Sequence, residues 1–352
     1  MPHNHEQIHM TTLRFTVGSA LARLSTWMLR DHKPHPMQQF HDMLANITEN
    51  GSHKGNRTGV GTTFLPNQVL TFDLADGFPA ITTKKLAFKS AVGELVGFFR
   101  GFHSAAQFRE IGCPVWTQNA NETQSWLASP YRKGEDDCGR IYGAQFTDWR
   151  DWKEVHSQEH ADALMAKGYT LLAHDPGRNA WILRRGINQL EQCLHTLITN
   201  PNDRRMVVTG WRPDEFEEMA LPPCHMTYNL ACDTAKKELH LMVHMRSFDT
   251  FLAFNIALGA LWLSIYAKMA GYTPRGFALA VTDAHIYRFH RDQVQTLLSR
   301  EHYPQPTLEL GPSIEVIQSV DQIKGAFARI QMEDIRLVGY EHHPAIKAPM
   351  AA

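Results

Sequence analysis

The sequence reads as a globular chain of mixed helix and strand, and three observations carry that reading. Apolar residues recur at helical spacing in Phe40, Met43, Leu44 and Ile47, and again in Val92, Leu95, Val96, Phe98 and Phe99. Short runs such as Val69-Leu70-Thr71-Phe72 and Met206-Val207-Val208, and the stretch 239–245, read as strands. With 43% hydrophobic and 20% charged residues, the 352-residue chain can bury one large core or two domains.

Other classes are disfavoured. A net charge of −1 argues against broad nucleic-acid or membrane-surface binding. The five cysteines (Cys113, Cys138, Cys193, Cys224, Cys232) are odd in number and form no CxxC pair. That speaks against a disulfide framework or a structural zinc site and fits a reducing cytoplasm; no metal is expected. The longest apolar run, 252–267, is broken by Asn255 and Ser264 and closed by Lys268, so it reads as a buried helix rather than a membrane span.

In chain order, residues 1–36 read as a flexible, loosely attached extension ended by Pro34-His35-Pro36, with a short amphipathic helix possible within 20–29. Five of the histidines lie in this segment and read as solvated. Met37-Gln38-Gln39-Phe40 begins a helix that stops at Asn50-Gly51. The Gly-rich stretch 55–62 is not a GxxxxGK[ST] loop; it reads as a hairpin turn from which Arg57 could reach an anion. Phe88–Phe99 is a helix with Glu94 in its apolar middle, where a carboxylate is costly unless paired or protonated, so its pKa should rise.

Residues 123–186 are polar with Trp126, Tyr131, Trp149 and Trp152 interspersed, and read mostly as surface structure. A helix follows over 189–198, then a turn at Pro201-Asn202-Asp203. Arg204-Arg205 is read as opening the strand that continues through Met206, which would turn the two guanidinium groups to opposite faces.

In Leu221-Pro222-Pro223-Cys224-His225 the prolines stiffen the chain just before a thiol at a strand edge. Cysteine is usually a small buried hydrophobe; a stiff approach also suits a nucleophile. Asn255 places an amide in the first turn of the buried helix and needs a hydrogen-bonding partner. Asp283, His285 and Tyr287 alternate, so on a strand they share one face, which an ordinary half-exposed strand would also explain. The chain ends in an apolar, proline-punctuated tail.

Arg57, Glu94, Trp116, Tyr142-Gly143, Asp203-Arg204-Arg205, the Cys224 segment, Arg246-Ser247-Phe248-Asp249, Phe254-Asn255-Ile256, Asp283-Ala284-His285-Ile286-Tyr287 and Lys347-Ala348-Pro349 occur in the order seen in thymidylate synthases. From about Met37 to the end, the chain resembles that family, with extra length mostly at 150–186. The resemblance implies an α/β fold, one large domain (37–352) with a bent mixed sheet covered by helices, two such sheets stacking back to back in a homodimer. It implies transfer of a one-carbon unit from 5,10-methylenetetrahydrofolate to dUMP, with no nucleic acid or membrane needed.

The resemblance also implies roles. Cys224 would add to C6 of the pyrimidine, activated by nearby arginines, with Glu94, Asn255, Tyr142 and Asp249 completing the catalytic set. Arg57, Arg246 and Ser247, and Arg204 and Arg205 from a second subunit, would hold phosphate. His225 would lie beside the nucleotide, and His285 and Tyr287 at its ribose. Lys84, Trp116, Asp249, Leu252 and the terminal Ala351 would border the folate.

The chain departs from the family pattern near the folate side. Leu252-Ala253-Phe254-Asn255 is two residues short of the family's loop, and Thr282, Thr117 and Met245 replace the usual Gly, Asp and Gln. Two further readings therefore stand beside thymidylate synthase: a dUMP hydroxymethylase, in which water attacks the same intermediate, and a non-catalytic nucleotide- or RNA-binding relative. Asn255 rather than Asp favours uracil over cytosine.

Overall fold

The computed structural model describes residues 33–55 and 59–348. The short helix considered within 20–29, Arg57 and Ala351 lie outside the described residues. The last residues before Met37 are held: the His35 ring stacks on His302 at 4.2 Å, and His35 Nε2 is 3.0 Å from the Tyr303 carbonyl.

Helix α1 (Gln38–Asn50) ends at Gly51, whose N–H bonds the Ile47 carbonyl. Strands β1 (Ser52–Lys54) and β2 (Thr62–Asp73) form the antiparallel hairpin expected around the Gly-rich loop. Helices α2 (Phe88–Phe99), α3 (Ala105–Glu110), α4 (Thr117–Glu122), α5 (Gln124–Leu127) and α6 (Tyr142–Thr147) follow. Strands β3 (Trp149–Val155), β4 (Thr170–Asp175) and β5 (Ala180–Ile187), with helix α7 (Gln158–Met165), form a separate three-stranded sheet in the order β3-β5-β4. The extra length is therefore ordered, with its own small core of Ala161, Tyr169, Trp181 and Leu183.

Helix α8 (Gln189–Thr199) leads to β6 (Val207–Thr209), β7 (His225–Asp233), β8 (Glu238–Met245), β9 (Phe248–Asp249), helix α9 (Phe254–Ala270) and β10 (Thr273–Tyr287). Helix α10 (Arg291–Leu298) and the β11 (Thr307–Leu310)/β12 (Ile335–Val338) pair finish the described fold. The main sheet runs β1-β2-β10-β8-β7-β6, with β9 on β10. It is mixed because β8 and β10 are parallel and α9 crosses between them.

Helix α9 has no polar face, and 13 of its 17 residues are buried. It packs against the sheet closely enough that a Cβ on Gly259 would lie 2.3 Å from the Phe277 ring. Leu70, Phe72, Phe277, Leu279, Leu241, Val243 and Tyr228 supply the sheet's inner face. On its outer face Val69 aligns with Ala280, and Met242 with Ala278 and Asn229, which in turn aligns with Val207. Val69, Met242 and Val207 are 59%, 41% and 40% exposed, so among the described residues no helix covers that face. Among the described residues no helix is long and apolar enough to cross a membrane.

Arg204 and Arg205 do not open β6; both lie on the exposed turn before Val207. The Asp203 carboxylate accepts from the Arg205 backbone N–H (2.8 Å) and guanidinium Nε (2.9 Å), and this local bonding holds the turn for two more residues.

Candidate active site

Cys224 sits at the mouth of β7, directly after the two prolines. The hydroxyl of Tyr142, the first residue of α6, accepts hydrogen bonds from the backbone N–H of Cys224 (2.5 Å) and of His225 (3.2 Å). Arg246 closes the other side: its Nε and Nη2 donate to the carbonyls of Pro223 (3.0 Å) and Pro222 (2.8 Å), and its own N–H donates to the Cys224 carbonyl (3.0 Å). Pro222 and Pro223 precede the β7 ladder, and their carbonyls accept this fork instead of a strand partner.

The expected activation of the thiol by arginines holds only in part. Burial pushes the Cys224 thiol up; Arg246 opposes this, and Glu94 reinforces it. Arg204 and Arg205 are on their exposed turn, so one described guanidinium acts where several were expected, and desolvation wins.

Glu94 is 8% exposed in the middle of α2. Burial raises its carboxyl to about 8, partly offset by the Trp116 indole. The Trp116 Nε1 approaches Glu94 without reaching a full hydrogen bond, and the ring packs against Phe98, Phe108 and Tyr142. At neutral pH Glu94 is therefore chiefly a proton donor.

Asn255, half-buried in the first turn of α9, brings its side chain up to His225, an approach that favours the protonated imidazole. His225 Nδ1 lies 2.7 Å from the Tyr228 hydroxyl. The sequence pattern does not point to Tyr228, for a physical reason. His225 and Tyr228 are three apart, which on a regular strand puts them on opposite faces. A register shift between His225 and Thr227 against β8 turns both inward, 4% and 0% exposed.

A second group forms where β9 meets β10. Lys84 is buried; its Nζ donates to the Phe251 carbonyl and lies 3.7 Å from the centre of the Phe251 ring. Burial lowers this ammonium to about 8, against the pull of Asp249. Asp249 Oδ1 accepts from the Phe251 N–H (3.2 Å) and lies 3.7 Å from His290 Nδ1. Leu252 is half-buried beside it. Asp249 pairs across the ladder with His285, whose Nδ1 is 3.0 Å from Asp283 Oδ1. The His285 and Tyr287 rings meet edge to face at 5.1 Å, so Asp283, His285 and Tyr287 do share one face. Lys54, which no sequence motif marks, pairs with Asp283. Ser247 follows Arg246 in the bend between β8 and β9 and is half-buried.

The structure thus assembles Tyr142, Cys224, His225, Arg246, Glu94, Trp116 and Asn255 around one strand end, and Lys84, Asp249, Leu252, His285 and Tyr287 around the neighbouring one. Arg204 and Arg205 stand apart from both. Thr282 is exposed on β10.

Ala253, in the shortened loop, adopts φ 61° with 2% exposure, a left-handed conformation that a residue with a Cβ enters at a cost.

Comparison with known proteins gives the family. The family model described as thymidylate synthase covers residues 38–352. Proteins named thymidylate synthase from Pseudomonas syringae pv. tomato and Pseudomonas putida are 41% and 42% identical over 322 residues. One from Bordetella parapertussis is 43% identical over 323 residues. Each alignment spans 90% of this chain and the whole of the relative. The chain belongs to the thymidylate synthase family.

Proposed function

We propose that the chain transfers a one-carbon unit from 5,10-methylenetetrahydrofolate to C5 of dUMP and releases dTMP and dihydrofolate. The observation that carries this reading is the convergence of a conformationally fixed thiol, a guanidinium, a protonated carboxyl and an amide around Cys224.

C5 of uracil is a weak nucleophile. Addition of the Cys224 thiolate at C6 makes C5 enolate-like and able to attack. Arg246 is the cation that lowers the thiol, and it grips the Cys224 segment through two carbonyls, so deprotonation does not displace the sulfur. Asn255 accepts from N3–H and donates to O4, and Glu94 gives and takes protons at O4 and C5. Tyr142 holds the backbone of Cys224 and His225 still during these steps.

Arg246, Ser247 and Arg57 hold the phosphate, and His285 and Tyr287 the ribose hydroxyl. Trp116, Asp249, Leu252 and Ala351 border the folate, and Lys84 meets its carboxylate end. The folate supplies the methylene carbon and then hydride.

The active unit is a homodimer stacked on the outer sheet face. The uncovered Val69, Met242 and Val207 side chains support this, because a monomer gains nothing by exposing such a row. Arg204 also supports it: exposed, and without a partner among the described residues, it would be the cation that a second copy's phosphate site receives.

The test is incubation with dUMP and methylenetetrahydrofolate. Dihydrofolate absorbance growing in step with dTMP supports the reading. Hydroxymethyl-dUMP formed without dihydrofolate overturns it.

A further inference from the structure

The Tyr228 hydroxyl is a buried polar group at the site that none of the roles above uses. Its ring is stacked on Trp262 at 3.9 Å and meets Phe146 edge to face, so its surroundings are apolar. Its hydrogen-bond partner is His225 Nδ1, and it has no other among the described residues. The His225 imidazole is buried too, and burial lowers it to about 4, so at neutral pH it carries a single ring proton.

Satisfying every hydrogen-bonding group decides where that proton sits. If Nδ1–H donated to the phenol oxygen, the phenol's own hydrogen would point into Trp262 and Phe146 with nothing to accept it. If the phenol donates to Nδ1, no polar hydrogen is orphaned, and the imidazole proton lies on Nε2. Nε2 is the nitrogen left for Asn255, and an Nε2–H needs an acceptor. The amide can offer only Oδ1. A flipped amide would set its NH2 against Nε2–H, donor against donor.

Amide orientation is what separates two pyrimidines. One orientation accepts from N3–H and donates to O4, matching uracil; the reverse matches the bare N3 and 4-amino group of cytosine. We propose that Tyr228 is a specificity-determining positioning residue, whose hydroxyl sets the His225 tautomer and thereby locks the Asn255 amide in the uracil-reading orientation. This rests on the preceding assignment of Asn255 to the base edge.

The test is Tyr228→Phe in the full chain, which keeps the ring and its stacking. Imidazole nitrogen NMR, with the His225 signal assigned by its loss in His225→Gln, should show Nε2–H in the wild type and a tautomer mixture in Tyr228→Phe. Binding of dUMP and dCMP is measured in parallel. The preference for dUMP should fall about tenfold in the variant, the scale of one hydrogen bond. An Nδ1–H tautomer in the wild type overturns the proposal even if the variant fails to fold. An unchanged dUMP preference in a folded variant also overturns it. Failure of the wild type to bind dUMP would instead refute the substrate assignment, and the two failures are distinguishable because the tautomer is read without nucleotide.

Discussion

Replacing Glu94 by Gln converts a buried titrating group into a neutral one of nearly the same shape, and the consequence for stability follows from the carboxyl's environment. Glu94 is 8% exposed, and burial moves its carboxyl from 4.5 to about 8. The folded protein therefore holds this proton more tightly than the unfolded chain. Stability from this source is intact below pH 4.5, declines as pH rises through the window from 4.5 to about 8, and is flat above it. At 1.36 kcal/mol per pH unit, full ionisation in place costs roughly 5 kcal/mol, an upper bound because the site can relax or admit water. Glu94→Gln has no such decline. Urea unfolding of both proteins at one fixed concentration, from pH 4.5 to 8.5, should give curves that separate, the variant gaining by several kcal/mol at the alkaline end. Parallel curves would refute the assignment of a protonated Glu94 to the neutral enzyme. Turnover should fall in the same variant at every pH, since Gln cannot exchange a proton.

The other predictions concern cations, strain and assembly. Lys84→Met should raise KM for the folate about tenfold or more with dUMP binding unchanged. In the wild type that KM should climb as pH passes about 8, where the ammonium loses its proton, and in Lys84→Met it should be flat; initial rates at varied folate check both. Ala253→Gly should leave stability within about 1 kcal/mol of the wild type, because relief of the left-handed strain at φ 61° is offset by added chain entropy and the loss of a buried methyl; denaturant midpoints measure it. Cys224→Ala and Arg204→Ala protomers, each inactive alone, should recover activity when mixed, because one site of the hybrid keeps both groups; no recovery would exclude donation of Arg204 between subunits.

Much of the site was legible in the sequence because it depends on elements with strong periodicity. Helix Phe88–Phe99 has the predicted bounds, and a carboxylate among Val92, Leu95 and Phe98 has the raised pKa that burial requires. Alternation on β10 put His285 and Tyr287 on one face, as found. The failures have local causes. Arg204 and Arg205 were read as strand because β-branched residues follow them, but Asp203 bonds back to Arg205 and prolongs the turn. The sheet of β3, β4 and β5 was hidden because all six residues of β4 are exposed, so it has no alternating pattern to detect. Trp126, read with the polar surface, is 2% exposed and donates to the Asp137 carbonyl at 2.6 Å. Tyr228 escaped because one bulge breaks the two-residue period.

The account depends most directly on the sulfur of Cys224 bonding to the pyrimidine. Incubation with 5-fluoro-dUMP and methylenetetrahydrofolate, followed by intact-mass and peptide mass spectrometry, reads that bond. The account predicts one nucleotide–folate adduct per chain, carried on the peptide containing Cys224 and absent from Cys224→Ser. An unmodified protein, or an adduct on any other residue, would contradict it.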